Sequence, residues 1–154
     1  MATPIGMKRT AKKKPLNKVS KKPTKALKKK VWDMFSIYIR LRDCLKTTGS
    51  KEYGECITCD KNLPFKELQA GHFIAGRHNG NLFSERGVHA QCRSCNIIKH
   101  GNQLEYRRAV VELYGEGADL ELEEEARQTK RYSYQDLEEL LKHYTEEVKK
   151  LKAL

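Results

Sequence analysis

The sequence predicts an α+β fold, mostly helical, in which a small core is held by four cysteines and flanked by helices. Three observations carry that expectation. Apolar residues recur at helical spacing in three long segments, whereas only two short stretches read as strands. Two C-x-x-C pairs stand 32 residues apart. Finally, the chain of 154 residues is 33% charged and only 8% aromatic, with a mean hydropathy of −0.76, so its core is too small to do without a staple beyond apolar burial. At roughly 100 to 200 residues per domain, this length fits one domain with tails.

The elements follow in order. Between Leu27 and Leu45 the residues Val31, Met34, Phe35, Tyr38, Ile39 and Leu41 share one face, with Arg40, Arg42 and Asp43 opposite, which predicts an amphipathic helix. The Gly, Ser and Thr of residues 47–55 read as a loop entering the first cysteine pair. Residues 65–73 predict a strand, 76–81 a turn rich in Gly and Asn, and 87–91 a second short strand. A helical turn or two then reaches Lys99, and His100-Gly101-Asn102 breaks it. Residues 103–114 predict a helix with Leu104, Val110, Val111, Leu113 and Tyr114 as its apolar face, stopped by Gly115 and Gly117. A short acidic helix covers 120–128, and Ser133 with Asp136 starts a last helix that runs through Leu137, Leu140, Leu141, Tyr144, Val148 and Leu151.

The net charge of +11 is unevenly placed. Residues 1–30 hold eleven Lys, one Arg and no acid, whereas 31–154 sum to −1, with +3 in 31–100 and −4 in 101–154. Residues 1–30 are therefore expected to be a disordered Lys-rich tail and 31–154 a single domain. A polycation of this kind is drawn to nucleic acid by counterion release, although solubility or ribosome contact would also account for it. No apolar run approaches the ~18 residues of a membrane span and the N-terminus lacks a signal-peptide core, so a cytoplasmic protein with no membrane partner is expected.

In a reducing compartment, paired C-x-x-C spacings point to metal or redox chemistry. Two pairs without a βαβ context favour metal: Cys56, Cys59, Cys92 and Cys95 match a structural Zn²⁺ site, closed by four thiolates and so not catalytic. The fifth, Cys44, reads as a small buried hydrophobe. Bringing the two pairs together folds the interval between them back on itself, which is expected to gather His72, His89 and Asn96. A neutral imidazole can take a proton from water near pH 7, and an amide oxygen can hold a hard divalent ion. The plainer alternative is that the histidines cap strands or satisfy core hydrogen bonds.

The order CITC, QAGHF, VHAQCRSCN, then Lys99 and GN resembles the HNH endonucleases of the ββα-metal type, in particular the zinc-stapled endonuclease VII branch and, closer still, the phage NinG or Rap recombination proteins. The resemblance runs over most of residues 31–151. It implies an HNH-like core at about 53–102 and a metal-dependent DNA endonuclease of phage recombination, acting in the host cytoplasm on Holliday junctions or other branched DNA. His72 matches the general base, Asn96 a ligand of a catalytic Mg²⁺ or Mn²⁺, and the four cysteines the structural zinc set. The chain departs from the pattern in three places. Gly71 stands where the family often has Asp or His as a second ligand of the catalytic ion, Gly87 stands at the middle Asn, and the Lys-rich tail replaces an N-terminal cysteine cluster. His89 is the candidate for the ligand missing at Gly71, and Arg77 or Arg93 for added positive charge on the phosphate. Two other readings remain open: a non-catalytic zinc module that binds DNA and recruits partners, and an HNH nicking enzyme for duplex DNA. The stripe on the last helix fits either a homodimer contact or packing onto the body.

Overall fold

The computed structural model describes residues 21–76 and 78–154. Its elements are helix α1 (Lys25–Thr48), strands β1 (Tyr53–Glu55) and β2 (Asn62–Pro64), strands β3 (Leu68–His72) and β4 (Val88–Cys92), and helices α2 (Gln103–Tyr114), α3 (Ala118–Arg127) and α4 (Tyr134–Lys152). The strands form two antiparallel ribbons, β1 with β2 and β3 with β4. A single 3₁₀ turn, Phe65–Glu67, leads into β3, and a π-helical turn, Ser94–Ile98, follows β4. The fold is α+β with the helices dominant, as the periodicity predicts.

Helix α1 begins at Lys25, inside the segment expected to be a disordered tail. The side chain of Thr24 accepts a hydrogen bond from the Leu27 amide and so caps the first turn. The Lys28 ammonium also donates to Asn79 Oδ1 at 2.5 Å, tying this turn to the 76–81 loop. The boundary of the folded body thus lies at least six residues earlier than the charge pattern suggested; residues 1–20 lie outside the described residues.

The β3/β4 ribbon sorts its side chains by alternation. Leu68, Ala70 and His72 pair with Cys92, Ala90 and Val88, and this face lies on α1. There Val88 packs with Phe35, Ile39 and Tyr144, and Ala90 with Leu68 and Cys44. The opposite face carries Gln69, Gly71, His89 and Gln91, and Tyr106 of α2 covers it together with Phe73, Val110 and Leu122. Helix α4 closes the outside of α1, with the Tyr144 ring 5.0 Å from Phe35. Its Leu, Tyr and Val stripe is thereby used on the body: Leu137, Tyr144 and Val148 are buried within the chain itself.

One polar clamp fixes α1 to β4. Asp43 Oδ2 accepts from the Ala90 amide at 2.7 Å while Oδ1 accepts from Arg42 at 2.8 Å, and Arg42 also donates to the carbonyls of Glu85 and Val88. The loop expected at 47–55 is shorter than its composition implied. Tyr53–Glu55 pairs with Asn62–Pro64, which makes the first cysteine pair the turn of a hairpin.

Candidate functional site

The first knuckle, Cys56 to Cys59, turns back at Asp60, whose φ of 59° an Asp tolerates and whose amide bonds the Cys56 carbonyl. The second knuckle starts on the last residue of β4 and continues into the π-helical turn. Their four Sγ atoms lie within 4.8 Å of one another, with Cys59 and Cys92 3.8 Å apart. Sulfurs at about 2.3 Å from a tetrahedral ion stand roughly 3.8 Å from each other, so the set fits a bound metal such as zinc. Donors face the sulfurs as well: the Cys95 amide points to Cys92 Sγ, Asn102 Nδ2 to Cys95 Sγ, and Thr58 Oγ1 lies 3.3 Å from Cys56 Sγ. Burial raises the Cys56 thiol, but hydrogen bonds from Thr58 and nearby backbone groups outweigh it and bring it down to about 7; burial and the neighbouring thiols push Cys59 up to about 12. Four sulfurs this close cannot all carry charge without a cation among them. Cys44 stands apart against Leu68 and Ala90, its thiol pushed up to about 11 by burial first and by Asp43 second.

A second site lies along the edge of β3. An open cleft of about 390 Å³ is lined by Ala70, His72, Asn96, His100 and Gln103, among others. The His72 ring stacks on Trp32 of α1, with centroids 5.2 Å apart and planes at 14°. Its Nε2 lies 3.1 Å from the Leu82 carbonyl oxygen. A carbonyl only accepts, so the neutral ring carries its proton on Nε2 and Nδ1 is its basic nitrogen. From the other side of the strand comes Asn96, on the π-helical turn, whose Nδ2 donates to Gln69 Oε1 at 2.9 Å. With the nitrogen so engaged, Oδ1 is turned toward Gly71 and stands 2.9 Å from where a Cβ on that residue would be.

The structure thus brings His72 and Asn96 to one cleft and takes His89 away from it. Both ring nitrogens of His89 face tyrosine hydroxyls, Nδ1 that of Tyr106 at 3.3 Å and Nε2 that of Tyr114 at 2.7 Å. It borders a different cavity, with Asp43, Lys46 and Tyr114. Burial, with Asp43 opposing and Arg42 and Lys46 assisting, holds its imidazole down to about 4. That geometry keeps it from serving as a metal ligand beside Asn96: a buried ring engaged by two tyrosines is the core histidine of the plainer alternative. Arg77 lies outside the described residues, and Arg93 is exposed in a cleft beside Cys59 with Lys61, Lys66 and Lys99. A groove of Lys25, Lys28 and Lys29 runs to Trp32 and Leu82, the two residues that hold His72. Composition counted those lysines with the basic tail although the apolar pattern began a helix at Leu27, and nothing in that pattern showed their place beside Trp32 and Leu82. Gln91, the other functional candidate missed, is buried on the same face as Gly71; its spacing from the knuckle gave no signal.

Fold and site together define a small α+β protein built around four clustered cysteines able to bind a metal such as zinc, with a histidine–asparagine cleft beside them. Residues 6–153 match the family described as Bacteriophage Lambda NinG protein, and the chain belongs to that family. Among curated proteins it is similar to Protein ninG of Salmonella phage P22, 31% identical over 98 residues, which is 63% of this chain and 47% of the relative. Protein ninG of Escherichia phage lambda is 30% identical over the same shares, and that of Escherichia phage 933W is 36% identical over 69 residues, 44% of this chain and 34% of the relative. The chain spans about half the length of the first two relatives. No solved structure matches it. Among the described residues no helix is long and apolar enough to cross a membrane.

Proposed function

We propose that this NinG-family chain is a zinc-stapled, metal-dependent DNA endonuclease with an HNH-like core, acting in phage recombination on Holliday junctions or other branched DNA. The observation that carries the reading is the meeting of His72 and Asn96 in one cleft, with the His72 tautomer set by the Leu82 carbonyl. In this reading the β3/β4 ribbon and the Asn96 turn would be the two strands and the helical segment of that core, and Cys56, Cys59, Cys92 and Cys95 would hold a Zn²⁺ whose four thiolates leave no open position for chemistry.

Nδ1 of His72 takes the proton from the attacking water, and stacking on Trp32 together with the bond to Leu82 prevents the ring from turning away. Asn96 would hold a Mg²⁺ or Mn²⁺ that supplies Lewis-acid stabilisation of charge on the phosphate. The lysine groove at the start of α1 and the basic cleft beside Cys59 flank the site and fit a phosphate backbone laid across it. The test is incubation of the zinc-loaded chain with a four-way junction and with matched duplex, plus Mg²⁺ or Mn²⁺, read on a denaturing gel. Cleavage of the junction is expected; cleavage of duplex alone would support the nicking enzyme, and no cleavage with any divalent ion would support the non-catalytic module.

A further inference from the structure

Gln91 lies on β4, its side chain on the face away from α1, and it is completely buried. Its amide is oriented by what surrounds it. Nε2 donates to the Gly101 carbonyl at 3.0 Å and to Thr58 Oγ1 at 3.2 Å. Gly101 sits at a φ of 92° between two further left-handed residues, His100 and Asn102, and this tight turn aims its carbonyl inward. A carbonyl needs a donor, so the amide cannot be flipped without loss, and Oε1 must point the other way. There it has no hydrogen-bond partner among the described residues. It lies against Gly71, so close that any Cβ at that position would collide with it, and the same absent Cβ marks the approach of Asn96 Oδ1. Two amide oxygens, one of them buried and unpaired, thus converge on the point that glycine leaves open, one residue before His72.

Two acceptors turned toward one point repel each other unless something electropositive lies between them. We propose that Gln91 Oε1 is the second protein ligand of the divalent cation held by Asn96, reaching through the space that Gly71 vacates; this rests on the cation site of the endonuclease reading. The choice of glycine at 71 follows from the same geometry, since the strand backbone there accepts any residue and it is the Gln91 amide, with Asn96 Oδ1 beside it, that leaves no room for a side chain. The chain Cys56–Thr58–Gln91 also ties this oxygen to the zinc knuckle, so the staple would fix the ligand's position.

The test is Mn²⁺ binding by the zinc-loaded full chain, followed by the loss of the free-ion electron paramagnetic resonance signal. Wild type is expected to bind one Mn²⁺, with Gln91→Leu and Asn96→Ala each weaker by about 10- to 100-fold, and Gly71→Asp/Gln91→Ala recovering part of the loss by returning an oxygen to the same point. Wild-type affinity in Gln91→Leu with weakened Asn96→Ala would overturn the Gln91 assignment and leave the Asn96 site standing. Absence of any Mn²⁺ binding in the wild type would overturn both. If Gln91→Leu loses zinc or helical structure, the wild type itself decides: on Mg²⁺ titration the Gln91 side-chain carbonyl carbon should shift with the same midpoint as that of Asn96. A Gln91 resonance that does not move while Asn96 shifts overturns the proposal.

Discussion

His89 gives up its charge to be where it is. Its ring is buried between two tyrosine hydroxyls, and its imidazole sits at about 4 in the folded chain against 6.5 when free. Between those two values the unfolded chain binds a proton that the folded chain does not, so stability is lost as pH falls from about 6.5 to about 4 and is complete above that window. The full effect is at most about 3 kcal/mol. Denaturant unfolding of the wild type and of His89→Gln at pH 7 and pH 5 should show a steeper loss in the wild type; equal losses would mean that His89 does not titrate this way. His72 and His89 lie on neighbouring strands in the same stretch of sequence, and nothing in the spacing separates a cleft histidine from a core one. What separates them is the strand register, which pairs His72 with Val88 on the α1 face and sends His89 toward Tyr106.

Asp43 couples two elements that sequence alone reads as independent. It stands on the polar side of the α1 pattern, yet it is buried against the Ala90 amide and Arg42. Asp43→Ala removes the carboxylate that balances the buried Arg42 charge and the acceptor of the Ala90 amide, and should destabilise the chain by about 3 to 5 kcal/mol, measurable as a lower denaturant midpoint. The knuckles make the other link between elements. Cys92→Ser is expected to lose both bound zinc and folded structure while Cys44→Ser keeps full zinc; full zinc in Cys92→Ser would refute the four-cysteine centre. At this scale the sequence was informative where apolar periodicity or caps act locally. Helix α2 falls at Gln103–Tyr114 as read, although it buries Tyr106 and Val110 and leaves Leu104 and Leu113 of the expected apolar face exposed, and Ser133 with Asp136 forms the capping box of α4. It was silent where pairing is non-local. Hairpin β1/β2 is three residues long on each side and has no alternation to show, and residues 65–67 form a 3₁₀ turn where β propensity suggested strand. The apolar pattern begins α1 at Leu27, two residues after its observed start at Lys25, because lysine has good helix propensity but carries no apolar stripe.

Across the whole molecule, charge and site are arranged around the β3 edge. The lysines of α1 approach His72 from one side, and the acidic excess lies in the C-terminal third, with Arg86 and Arg107 engaged by Glu121, Asp119 and Glu123 of α3. Deleting residues 1–20 removes six positive charges and should flatten the dependence of log affinity on log salt by up to roughly 5, without moving the cleaved positions. An unchanged salt slope would give the N-terminal lysines some other role. The central claim is that His72 is the general base, and it is tested most directly by comparing wild type with His72→Ala on a four-way junction at saturating Mg²⁺, with zinc content and DNA binding measured on the same samples. The account predicts full zinc, retained binding and cleavage slower by about 10²- to 10⁴-fold. Cleavage by His72→Ala at the wild-type rate would contradict it.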